Sequence, residues 1–196
     1  MKFFPFDKEI NLSNDVAHLK PLKTEHLNSL NDFVIQEPRL FDFALQPMQT
    51  KEDLGKYILH AIDQRIMKLE YPFLVMDQRS GKVAGTTRFY QIDQQNETLA
   101  IGYTWIGNEF QGTGLNRTMK LLMLNYAFDE AKFTRVEFRV DSRNEKSIVS
   151  LKKLGAQNEG VLRSHVFTAT GFRRDTIVFS ILNHEFELVK NRLLNG

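Results

Sequence analysis

The sequence predicts an α/β (α+β) fold: a mixed, strongly twisted central sheet of about seven strands flanked by helices. Three observations carry that prediction. The spacing of apolar residues changes from near four in the first third of the chain to two from Phe73 onward. A loop with two glycines, Gly112-Thr113-Gly114, joins an apolar strand-like run to an apolar helical run. Turn residues separate the elements into the order β-α-α-β-β-β-α-β-α-β-β, with an amphipathic helix behind them. Linkers, repeats and low-complexity stretches are missing from the pattern, so a single domain over residues 1–196 is expected.

The elements follow in order. Residues 1–14 read as a polar lead-in carrying a Phe cluster, and Val16 to Leu22 as a short strand ending near Pro21. Thr24 is placed to cap a helix with Leu27, Leu30, Phe33 and Val34 on one face. Phe41 to Met48 forms a connector unusually apolar for a solvated loop. Thr50 and Asp53 make a capping-box-like start for a helix showing Leu54, Tyr57, Ile58, Ala61 and Ile62. Gly55 weakens its first turn.

Phe73 to Met76 and Val83 to Tyr90 are strands around the Arg79–Lys82 turn, and Leu99 to Ile106 is a third after the polar loop Asp93 to Glu97. The helix from Leu115 to Phe128 is apolar nearly all round, which predicts burial on more than one side. Val136, Phe138 and Val140 alternate with Arg135, Glu137 and Arg139, a one-sided strand. Asn144 to Leu154 is a short helix stopped at Gly155. Val161 to Phe167 and Thr176 to Leu182 form a hairpin with Gly171 in its loop, and residues 184–194 a tail helix.

Composition excludes several classes. With 42% hydrophobic and 26% charged residues, the chain reads as an ordinary soluble globular protein. A net charge of +2, with no basic block longer than two residues, calls for neither nucleic acid nor membrane as partner. The absence of cysteine removes disulfides, thiolate metal sites and a cysteine nucleophile, and suits a reducing cytosol. No signal-peptide core or membrane-length apolar run is present, so a cytoplasmic location is expected. His18, His26, His60 and His184 show no paired-ligand spacing, and no metal is expected.

The glycine loop is the chemical clue. Strand, glycine turn and helix N-terminus together make an anion cradle, because first-turn N–H groups lack internal partners and the helix dipole is positive there. A nucleoside-triphosphatase loop needs GxxxxGK[ST], but Leu115-Asn116 follows Gly114. A dinucleotide fingerprint needs a third glycine where Arg117 stands. A glycine-bearing turn with no ligand is the plain alternative.

Context decides between these. Gln111 to Asn116 resembles motif A of the GNAT superfamily of N-acyltransferases, Q/R-x-x-G-x-G/A, with Asn116 departing at the last position. Val136 to Ser147 is similar to the following strand and its D-x-x-N-x-x-S turn; Leu151 to Ala156 and Glu159 to Arg163 resemble the ribosomal-protein N-acetyltransferase (RimJ/RimL-like) branch. The resemblance implies a sheet splayed between the strands at 99–106 and 135–140, with the pantetheine arm of acetyl-CoA in the gap. It assigns backbone contacts to Trp105 and Ile106 and the diphosphate to Gln111, Gly112, Thr113, Gly114, Leu115 and Asn116. It also turns the amide of Asn144 toward the arm and makes Ser147 the proton donor to the leaving thiolate. The branch's basic glutamate falls at Val166, which leaves His165 or Glu137 as substitute bases. Helix capping for Asn144, and ion pairing with Arg135 or Arg139 for Glu137, are the structural alternatives. Arg88 and Tyr90 are placed, by alternation alone, to line an acceptor cleft.

The expected reaction is attack of a primary amine on the thioester. Deprotonating an α-amine at pH 7 costs about 1.4 kcal/mol and a lysine about 4.6 kcal/mol, which favours α-amines and weakly basic amines. A protein N-terminus as acceptor rests on the branch resemblance. The apolar connector Arg39 to Met48, with Phe41 and Phe43, suggests a partly hydrophobic acceptor wall. A catalytically silent acyl-CoA-binding module is the alternative, and the tail helix offers a surface for a homodimer.

Overall fold

The computed structural model describes residues 4–195. The strands are β1 (Leu12–Ser13), β2 (Ala17–Pro21), β3 (Tyr71–Asp77), β4 (Lys82–Asp93), β5 (Thr98–Ile106), β6 (Arg135–Asp141), β7 (Gln157–Phe167) and β8 (Arg173–Leu182). The α-helices are α1 (Leu27–Gln36), α2 (Lys51–Ile66), α3 (Leu115–Asn125), α4 (Glu145–Leu154) and α5 (Phe186–Asn195). One eight-stranded sheet runs β1-β2-β3-β4-β5-β6-β8-β7, antiparallel except for the β5–β6 pair. The expected order of elements is observed, with β1 as an additional short strand. Among the described residues no helix is long and apolar enough to cross a membrane.

Alternation along the strands sorts the sheet into two faces. One, carrying Phe73, Phe89, Leu99, Ile101, Val136, Phe138 and Phe179, packs with residues of α3, α4 and α5. The other, carrying Leu74 and Trp105, packs with α1 and α2. Where burial ends on this second face, β4, β6 and β8 carry polar residues.

Local chemistry explains most boundaries. Thr50 Oγ1 accepts from Asp53 N at 3.1 Å and Asp53 Oδ2 accepts from Thr50 N at 3.0 Å, the expected capping box. Gly155, at φ 94°, closes α4 in the left-handed conformation.

Two elements differ from expectation. Thr24 opens a 3-10 turn, Thr24–His26, and α1 begins only at Leu27, because His26 Nδ1 accepts from Lys23 N at 3.0 Å and tightens the first turn. The helix from Leu115 stays α-helical to Asn125 and widens to a π turn at Tyr126–Glu130. The polar lead-in is anchored through its Phe cluster: Phe4 and Phe6 are buried, and Phe4 meets Tyr71, Phe89, Tyr126 and Phe133 ring to ring.

Candidate active site

The parallel pair β5–β6 is short. Thr98, Leu99 and Ala100 pair with Arg135, Val136 and Glu137, and the ladder stops there. On its other edge β5 stays paired with β4 as far as Ile106, and β6 with β8 as far as Asp141. The sheet therefore opens between two otherwise intact halves, and backbone groups of Ile101–Ile106 facing β6 have no strand partner. Unpaired amides and carbonyls on an open edge recognise an extended amide chain as another strand would.

A bulge marks the mouth of the opening. Thr86 pairs with Trp105 but Arg88 with Gly102, so β5 carries an extra residue, and Tyr103 sits at φ 50°. A left-handed non-glycine residue costs about 1–3 kcal/mol, and packing must hold it. Here the Arg88 guanidinium lies between the rings of Tyr57 and Tyr103, at 4.4 and 4.2 Å from their centroids. Arg88 Nη1 also donates to Glu70 Oε2 at 2.8 Å, while its Nε and Nη2 are sealed without partners. Arg88 is thus a buried support under the bulge rather than a cleft-lining group. Tyr90, the other residue assigned to the cleft, packs edge-on to Tyr103, and its ring occupies the space a Cβ on Gly102 would need.

The glycine loop lies at the same end of β5. Gly112 (φ 76°) and Gly114 (φ 87°) both take the left-handed conformation, and a Cβ at either would meet open space, so backbone angle rather than crowding requires glycine. Gln111 Nε2 donates to Ile106 O at 3.0 Å, Thr113 Oγ1 to Phe110 O at 2.7 Å, and Arg79 Nη1 to Thr113 O at 3.1 Å. These contacts hold the loop from behind. The amide of Gln111 is committed to Asn108 O at 3.1 Å, whereas those of Gly112, Thr113 and Gly114 have no acceptor among the described residues. Leu115 N makes a long contact, 3.4 Å, to Thr113 Oγ1. Gly112, Thr113, Gly114, Asn116, Arg117 and Ser150 border an open concavity of about 490 Å³. Asn116 turns toward α4, its Nδ2 donating to Ser150 Oγ at 3.2 Å. Trp105 packs its ring against Phe33 and Phe41, and its carbonyl lies on the β4 side, against Gly85, rather than toward the opening.

The remaining candidates fall into separate groups. Asn144 caps α4, its Oδ1 accepting from Ser147 N at 3.1 Å, and Ser147 is half-buried with its hydroxyl unbonded among the described residues. Glu137 lies between two guanidiniums: Oε1 accepts from Arg135 at 2.9 Å and Oε2 from Arg139 at 3.2 Å. The ion-paired alternative is the arrangement present. His165 stands on a wide bulge of β7, where Leu162 pairs with Thr176 and Val166 with Arg174. Ser164, at φ 53°, is fixed there by Asp175 Oδ1 (2.6 Å) and Arg173 Nε (2.9 Å). The bulge brings His165 Nδ1 to 3.1 Å from Thr176 Oγ1. Burial, Arg139 and Arg174 all disfavour the imidazolium and hold its pKa below the ordinary value.

Sequence reading missed Arg174, Tyr103 and Glu70. Arg174 alternates with Thr176, Val178 and Ser180 on the α1–α2 face, and a charged residue on an inward face was the available signal. Beside the opening, Glu70, Gln91, Ala100, Glu137 and Arg139 help line an open concavity of about 640 Å³. Elsewhere two distant segments are joined: Ala169 N, in the β7–β8 turn, donates to Ala44 O at 2.9 Å. Arg143 lies against Phe172 and Phe43, 3.7 and 5.6 Å from the ring centroids.

Comparison with known proteins gives this geometry a context. A family model described as the acetyltransferase (GNAT) domain matches residues 17–157. The uncharacterized N-acetyltransferase p20 of Bacillus licheniformis is 32% identical over 114 residues, 58% of this chain; the match spans 63% of that relative's length. The spermidine N(1)-acetyltransferase of Escherichia coli K12 is 27% identical over 86% of this chain and 87% of its own. In structure, RimJ of Mycobacterium smegmatis, solved in complex with CoA-disulfide, superposes with a TM-score of 0.80 at 17% identity, covering 95% of this chain and 93% of that one.

Proposed function

The chain belongs to the GNAT acetyltransferase family, and on that premise we propose that it moves the acetyl group of acetyl-CoA to a primary amine by direct attack on the thioester. The carrying observation is the opening between β5 and β6, with the glycine loop and the α3 N-terminus at its wide end. The free amides of Gly112, Thr113 and Gly114 support this loop as the diphosphate seat, with first-turn amides of Leu115 and Asn116 beside it and Arg117 adding positive charge. Main chain along the unpaired edge of β5, up to Ile106, is the strand-like partner for the pantetheine arm, and the uncommitted Nδ2 of Asn144 can donate to its amides.

In the reaction the amine nitrogen bonds to the thioester carbon, the C–S bond breaks, and the amine loses a proton as the thiolate gains one. Backbone donors at the Tyr103 bulge are the candidate stabilisers of the tetrahedral oxyanion. The unbonded hydroxyl of Ser147 is the candidate donor to the thiolate. His165, held neutral, is better placed to take the amine's proton than Glu137, whose oxygens serve two guanidiniums. The cysteine-free composition favours the cytoplasm as its site of action.

The test is amine-dependent thiol release from acetyl-CoA over α-amine peptides, amino acids, polyamines and arylamines. Transfer that falls at least tenfold in S147A supports the reading. Tight coenzyme A binding with an intact thioester across the whole panel replaces it with the silent binding module.

A further inference from the structure

Arg174 is the charged group on the acceptor face that the reading above leaves without work. Its residue is 92% buried, from a relative exposure of 8%. Its Nε donates to Thr176 Oγ1 at 3.0 Å, and no carboxylate lies within ion-pair distance among the described residues. Its two terminal nitrogens have no hydrogen-bond partner either. Unlike Nη2 of Arg88, they are not sealed from solvent.

The neighbours are already committed. Tyr90 of β4, Tyr103 of β5, Asp141 of β6 and Arg143 beyond it lie within electrostatic reach of Arg174, and His165 of β7 shares Thr176 with it. Asp141, the one acid among them, gives both oxygens to Arg143, at 2.9 and 2.7 Å. Arg139 is taken by Glu137, Arg135 by Glu137 and Glu159, and Arg88 by Glu70. Charge on this face therefore balances pair by pair and leaves one guanidinium over. A guanidinium with no carboxylate of its own and a fork open to solvent is available to an incoming anion, and its planar geometry suits a carboxylate.

We propose that the acceptor is a carboxylate-bearing amine, its acid group held by Arg174 while its amine points into the opening at Tyr103. The inference rests on the acetyl-transfer reading and narrows its acceptor. The carboxylate can belong to a free amino acid or to an acidic first residue of a peptide. A polyamine, with positive charge along its length, is disfavoured beside Arg174.

The test uses matched acceptors: phenylalanine against phenylalaninamide and phenethylamine, peptide amides beginning with Asp or Glu against Asn or Gln, and spermidine. Thiol release should favour the acid of one series by about tenfold or more in kcat/KM, the scale of a charge-assisted bidentate contact. In R174Q that ratio should collapse toward one through KM, and R174K should restore part of it. Equal use of acid and amide by the wild type, preference for spermidine, or an equal loss for both members in R174Q overturns the proposal. Thermal stabilisation by the same compounds, with and without coenzyme A, separates the two readings. Stabilisation by the acids alone, lost in R174Q, upholds the anion site even when no acetyl group moves. No stabilisation and no turnover by any acid overturns it, whereas failure to bind coenzyme A overturns the acetyl-transfer reading.

Discussion

Lys120 shows what a single residue can carry against its surroundings. Its side chain is buried on α3, Nζ lies 5.3 Å from the centroid of Phe138, and no acid pairs with it among the described residues. Burial alone lowers its pKa to about 8. The unfolded chain then binds more protons than the folded one between about pH 8 and 10.5, so stability rises with pH through that window. At neutral pH the penalty is on the order of 3 kcal/mol. Lys120→Met should raise the denaturant midpoint at pH 7, with the gain shrinking toward pH 10.5. His165 gives a second pH signature. Because its neutral form is favoured, the enzyme limb of kcat/KM should fall only as pH drops through a value below 6.5, and H165N should remove that limb.

Among the elements, β4 and β5 depend most on one another. Gly85 lies opposite Ile106 at φ 155°, and a Cβ there would come within 2.0 Å of the Trp105 carbonyl. Gly85→Ala should therefore cost about 2–4 kcal/mol in denaturant titration, since the carbonyl it would displace is wedged between β5 and β4. The α2 cap is a milder case: Thr50→Ala removes one acceptor and should cost about 1 kcal/mol, leaving turnover intact. Boundaries such as this cap and Gly155 are legible because the bonds that make them join near neighbours in sequence. Illegible were the bulges at Tyr103 and Ser164, which appear only when two strands pair out of step. Without the second bulge, His165 had no reason to meet Thr176. The burial of Phe4 is equally non-local, since its ring partners lie at Tyr71, Phe89 and Tyr126.

For the whole molecule, the open β5–β6 gap is the property to probe. A ligand that binds only the folded chain stabilises it by mass action, so coenzyme A at a hundredfold excess over Kd should add about 2.7 kcal/mol to unfolding. Gly114→Val, which strains the loop and fills space over the free amides, should remove most of that gain in a thermal shift measurement. The sequence by itself determined the order of elements, the glycine loop and the alternation that places Glu137 and Arg139 on one face. Periodicity, turn residues and caps act over a few residues and can be read one segment at a time. Only the tertiary structure decided where the ladder stops, that both oxygens of Glu137 are taken, and that Arg174 is buried without a counterion. Those depend on how charges and strand edges from distant segments pair once water is excluded, and no local pattern encodes that pairing.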